Sequence, residues 1–139
     1  MKLLDFIICD DIRFEVGNKN TLVGIYGDIN LTQKRGSKLS WPVPLKLWLY
    51  LRCLINEGED KPESFHIDIT HNTKGSIAPI AGTLSIPEGI KYLNLALVGN
   101  ISLPDTGVIS FKISFFKAGQ EVYVVVPDYT FSIHVIDVD

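Results

Sequence analysis

At 139 residues, with 46% hydrophobic and 21% charged side chains, the chain has the composition of one folded globular domain and not of a disordered segment. Lys and Arg number 13 against 16 Asp and Glu, a net charge of −3 that provides no general basic surface for coating nucleic acid. A chain of this size buries about two-thirds of its unfolded surface without disulfide or metal staples.

The opening run, Leu3 to Cys9, reads as a first strand, with Leu4, Phe6 and Ile8 on one face. A secretory or lipoprotein reading fails on its residues. Asp5 interrupts the apolar run, and Ile8 stands where a lipoprotein cleavage site needs a small residue. Nor does any window approach the roughly 18 continuous apolar residues of a membrane helix. A cytoplasmic protein without membrane contact is the expectation. Asp10 and Asp11 punctuate this strand, after which Ile12, Phe14 and Val16 alternate with Arg13 and Glu15. Gly17-Asn18-Lys19-Asn20 makes a turn, because Gly and Asn tolerate the positive φ that tight turns need. Thr21 to Gly27 follows as a strand with a bulge or close approach at Gly24 and Gly27, and Thr32 to Ser40 as an exposed loop.

Trp41-Pro42-Val43-Pro44 is held extended by its prolines. It delivers the chain to the best-patterned segment, Pro44 to Ile55. There Leu45, Leu47, Leu49, Leu51, Cys53 and Ile55 alternate with Lys46, Trp48, Tyr50 and Arg52. Side chains flip faces at every residue of a strand, so this is a central strand with one face on the core. An acidic loop, Asn56 to Pro62, separates it from the alternating strand Phe65 to Thr70 and the turn Asn72-Thr73-Lys74-Gly75. Ser76 to Ile86 is less regular, and Pro79 assigns part of it to a sheet edge. Strands are predicted at Tyr92–Val98, Ile109–Phe115, Glu121–Val126 and from Tyr129 onward, separated by turns at 87–89, 104–107 and 117–120. No segment sustains a helical period.

Several stretches resemble a family of small bacterial β-sandwich proteins of unknown function. They are CDDIRFEVGNKNTLVGIYGDI near the start, WPVPLKLWLYLRC, FHIDITHNTKG, and PDTGVISFKISFFKAGQEVYVVV. The resemblance covers nearly the whole chain through turn glycines and alternating aliphatics. It implies an immunoglobulin-like or C2-like sandwich with no known activity and no catalytic residues to carry over. Asn72-Thr73-Lys74-Gly75 departs from the acidic D-x-D-G turn expected there, which argues against cation binding at that turn.

Together the elements predict an all-β fold: a two-sheet antiparallel β-sandwich of eight to ten short strands, one domain over residues 1–139. The leading candidate site is the face shared by Lys46, Trp48, Tyr50 and Arg52. Flat rings beside cations suit anchoring a partner protein or stacking on a ligand. The plainer alternative packs both rings beneath the 32–40 loop or against aromatics of a neighbouring strand. His66 and Asp68 share a face and could pair, but no nucleophile motif accompanies them. An enzyme built on that pair would need a deep pocket beside it. Asp10, Asp11, Asp28, Glu57, Glu59, Asp60, Asp105 and Asp128 sit at loop ends. They would form a calcium site only if at least three converged at one pole, and otherwise are solvated, as Lys34, Arg35 and Lys38 are expected to be. Cys9 and Cys53 have neither framework nor metal-ligand spacing, and a single bridge between them stays open.

The functional expectation is therefore a non-catalytic protein-interaction or structural module, open to self-association. It would use the Lys46–Trp48–Tyr50–Arg52 face or an exposed edge strand, for which the apolar C-terminal strand is a candidate. A carbohydrate- or calcium-binding module comes second, and a hydrolytic enzyme third. No cofactor, metal, nucleic acid or membrane partner is expected.

Overall fold

The structure, a computed structural model, describes residues 1–139 and contains no helix. Ten strands follow one another: β1 (Lys2–Glu15), β2 (Lys19–Ile25), β3 (Ile29–Lys34), β4 (Val43–Leu54), β5 (Ser64–His71), β6 (Gly75–Thr83), β7 (Tyr92–Leu103), β8 (Gly107–Lys117), β9 (Gln120–Val125) and β10 (Phe131–Val138). They form two sheets, ordered β2-β1-β4-β7 and β3-β10-β8-β5-β6, with β9 continuing beside the distal half of β8. The all-β sandwich read from the sequence is the fold.

β4 organises the first sheet. It pairs with β7 along its whole length, from Val43↔Leu103 to Leu54↔Tyr92, and with β1 from Leu54↔Lys2 to Trp48↔Cys9. Alternation sends Leu47, Leu49, Leu51 and Cys53 inward, where each is completely buried. Burying a side chain of that size contributes about 1.5–3 kcal/mol. Phe65, Ile67 and Ile69 of β5, with Ile109, Phe111, Ile113 and Phe115 of β8, meet them from the second sheet in one continuous core.

Four expectations need correction. The sandwich is not wholly antiparallel, for β10 runs parallel to β3 from Ile133↔Ile29 to Val138↔Lys34. A parallel pair needs a long crossover between its strands, and residues 35–130 lie between these two. Thr32 to Lys34 belong to β3 and not to a loop, with only Ile29 and Leu31 to mark them apolar. Asp10 and Asp11 do not interrupt β1. Asp10 accepts a hydrogen bond from the Tyr26 hydroxyl and lies against Gly24, whose φ of +67° and lack of a Cβ admit it. The strands are also not uniformly short, since β1, β4, β7 and β8 span 14, 12, 12 and 11 residues.

Sheet edges fall on β2 and β7 in one sheet and on β3, β6 and the branching β9 in the other. Pro79 sits on the β6 edge, as its missing N–H requires. The C-terminal strand is not an outermost one: β10 lies between β3 and β8 at Ile133 and keeps an open side only beyond it.

One aromatic cluster ties the chain's ends together. Tyr129 stacks on Phe111 at 6.3 Å and 24°, and Phe6 and Phe131 pack around both rings. Its hydroxyl donates to the carbonyls of Tyr26 (2.9 Å) and Gly27 (3.1 Å), pinning the crossing from β2 to β3. Burial, reinforced by the charge of Asp28, pushes the Tyr129 phenol up to about 12. Because the folded value lies above the unfolded value of about 10, the neutral phenol's contribution is complete below pH ~10 and is lost as pH rises through ~12. Tyr129→Phe is therefore expected to cost about 1–2 kcal/mol at neutral pH and to flatten the alkaline fall in stability, as read from urea unfolding across pH. An unchanged alkaline slope would remove Tyr129 from that role.

Candidate functional site

The outer face of the first sheet holds the predicted residues. Lys46 is exposed, whereas Trp48, Tyr50 and Arg52 are half-buried. Arg52 Nε donates to Asp5 Oδ2 at 2.7 Å, directly across the β1–β4 ladder. This pair is partly exposed, so water screens it and its contribution is small. On the other flank Asn100, Val98, Ala96 and Asn94 of β7 stand opposite Lys46, Trp48, Tyr50 and Arg52.

Past Cys9, β1 leaves β4 and continues with β2 alone as a hairpin. Phe14 of that hairpin meets the Trp48 ring edge-on, with centroids 6.3 Å apart and planes at 73°. The hairpin tip, Phe14 to Asn20, shares a shallow cleft with Asn94 on the far side of β4, so the hairpin crosses above the outer face. Cys9 and Ile12 are buried there, apart from the central core. Trp48 thus packs against an aromatic of a neighbouring strand, the plainer of the two sequence readings. Phe14 itself stays 68% exposed and Val98 46%, so the patch carries solvent-facing apolar surface around a half-covered indole. Sequence reasoning put Phe14 in an alternation with Ile12 and Val16 and did not single it out as part of the site. Only the bend of the hairpin turns it outward.

The cysteines lie on opposite faces of this sheet, Cys9 beside Trp48 and Cys53 beside Leu3 in the core, and both are free. Burial pushes the Cys53 thiol up to about 11 and raises that of Cys9 as well, which keeps both in their unreactive neutral form.

His66 and His71, five residues apart on β5, fall on opposite faces of the strand. His66 Nδ1 stands 3.9 Å from Asp68 Oδ2 on the exposed face of β5, and none of the four principal clefts reaches either residue. His71 points the other way and is buried. Its Nδ1 accepts the N–H groups of Thr73 and Lys74, both at 3.1 Å, which leaves Nε2 to donate to the Thr106 carbonyl at 2.9 Å. One imidazole thereby joins the β5–β6 turn to the turn before β8. His134 of β10 sits 3.5 Å from Asp28.

The loop carboxylates do not converge: no group of three or more His, Cys, Asp or Glu side chains is placed to hold a metal ion. Six of the eight find a separate partner of their own, and Glu57 and Asp128 find none. Asp28 accepts from the Ser132 N–H at 2.8 Å, a bond that with His134 lowers its pKa. Asp60 pairs with Lys117 at 3.1 Å, and Asp105 accepts from the Thr106 N–H at 2.8 Å. A cleft of about 370 Å³ opens between the 56–61 loop and residues 88–91. Three of its five charged side chains are engaged, Glu57 and Lys91 having no side-chain partner. Glu59 holds the N-terminal ammonium and the Asn56 N–H, which lower its pKa, and Lys61 Nζ donates to the Pro87 carbonyl and to Glu88. Lys34, Arg35 and Lys38 are exposed, with Arg35 paired to Asp139 at 3.2 Å.

Comparison with family models, with curated proteins and with solved structures found no match to the chain.

The contrast between the histidines is measurable. His71→Ala is expected to cost about 2–4 kcal/mol, because it strands three backbone partners, whereas His66→Ala should stay within ~0.5 kcal/mol. Urea unfolding of the two variants checks this, and equal losses would contradict the structural assignment of His71.

Proposed function

We propose that the chain is a non-catalytic protein-interaction or structural module that works in the cytoplasm and recognises its partner through the outer face of the first sheet. The observation that carries this reading is the patch around Trp48. Phe14 and Val98 are exposed there beside a half-buried indole and phenol, with Lys46 and the Arg52–Asp5 pair at its margin. Aromatic anchors rimmed by polar groups are the composition of an interface centre. A carbohydrate platform is the less supported alternative, since stacking on a sugar needs a free ring face and Phe14 stands against Trp48. No helix is long and apolar enough to cross a membrane.

A photo-crosslinking amino acid at position 14, with a control at the exposed Lys112 of β8, tests the reading in the protein's own cellular setting. A discrete protein adduct is expected from position 14, and the same probe combined with Trp48→Ala should lose most of it. No adduct at position 14, or equal adducts from both positions, would contradict the proposal.

A further inference from the structure

We infer that β7 is a pairing edge for a second copy of this chain, which extends the four-stranded sheet of each copy into one continuous sheet across a two-fold axis. This goes beyond the outer-face reading by naming a second contact, a sheet edge, and its occupant. An edge strand presents unpaired N–H and C=O groups, and proteins ordinarily blunt such edges with proline, charge, bulges or shortness. The other four edges are blunted. β6 carries Pro79, β2 carries Lys19 and the positive-φ Gly24, β3 is six residues long and runs into Lys34 and Arg35, and β9 is six residues long and carries Glu121. β7 has none of these devices. Its 12 residues, YLNLALVGNISL, include no charge and no proline, and β4 is its sole ladder partner. β6 passes close by, with Ile80 against Gly99, but no backbone hydrogen bond joins the two strands.

The sequence of β7 also selects its occupant. Two copies meeting antiparallel place β7 opposite itself, and any charge on the strand would then approach its own image. Here there is no charge to repel. The pairing must keep both apolar faces on the same side, so opposed residues share parity. Among such registers, the one centred on Leu97 overlaps almost the whole strand. It sets Tyr92 opposite Ser102, Asn94 opposite Asn100 and Ala96 opposite Val98 on the outer face, and Leu93 opposite Ile101 on the inner face. The two Asn side chains can exchange amide hydrogen bonds across the seam. Glu15 and Lys19 of the hairpin tip lie beside Asn94 with opposite charges, which leaves that rim neutral.

Sedimentation over a dilution series, together with paired cysteines, tests both the partner and the register. The wild type is expected at twice the chain mass. Val98→Lys, at a half-exposed position whose fold can be verified by circular dichroism, should weaken the dimer about tenfold or more by placing two ammonium groups near the axis. Asn94→Cys combined with Asn100→Cys should crosslink between copies on oxidation. Asn94→Cys with Ser102→Cys, which matches a register shifted by two residues, should not, and the buried native cysteines keep the wild-type background low. A monomer at every concentration overturns the inference, as does a dimer that is indifferent to Val98→Lys and uncrosslinked at 94/100. Either result leaves the position-14 crosslinking test standing, and a β7 dimer without a position-14 adduct would retain this inference while removing the outer-face reading.

Discussion

The alternation of β4 is the constraint on which the rest depends. Leu47, Leu49, Leu51 and Cys53 must all face one way, and a slip of one residue would bury Trp48, Tyr50 and Arg52 in their place. With that orientation fixed, β1 and β7 are held in register on either side, and the second sheet closes over the leucines with β5 and β8. The same orientation fixes what faces outward. The half-buried aromatics are a consequence of where the leucines go.

Most of the fold was legible because amphipathic strands announce themselves. β4, β5 and β8 combine strict alternation with β-branched, leucine and aromatic residues, and their bounds agree with the sequence reading to within a few positions. β3 was not legible. Its register is supplied by β10 through backbone pairing and by Gln33 bonding to Asp137 at 2.7 Å, contacts between residues remote in sequence. The reach of β1 through Asp10 and Asp11 likewise depends on Tyr26 and Gly24 of the next strand. Local propensity carries no information about a tertiary partner.

The site was less legible than the fold, for the same reason. Lys46, Trp48, Tyr50 and Arg52 do share a face, which period-two geometry guarantees. Whether that face is open depends on the path of the β1–β2 hairpin, and Phe14 owes its exposure to a bend that no residue pattern encodes. The histidines illustrate the complementary case. Parity separated His66 from His71, but the burial of His71 and its three backbone bonds arise from turns that meet only in three dimensions. No buried polar side chain lacks a partner. Along β7 the backbone groups on the free side stay unpaired over the longest uncharged edge of the molecule.

Amide hydrogen exchange at high dilution, resolved residue by residue, addresses that organisation most directly. From Trp48 to Leu54, β4 is flanked on both sides and its amides should be among the slowest to exchange. Along β7, amides bonded to β4 should be slow and the intervening ones fast, a two-residue rhythm over most of the strand. Uniform protection of β7 in the dilute protein would mean that the chain covers this edge itself. Fast exchange in the middle of β4 would remove it from the centre of the sheet.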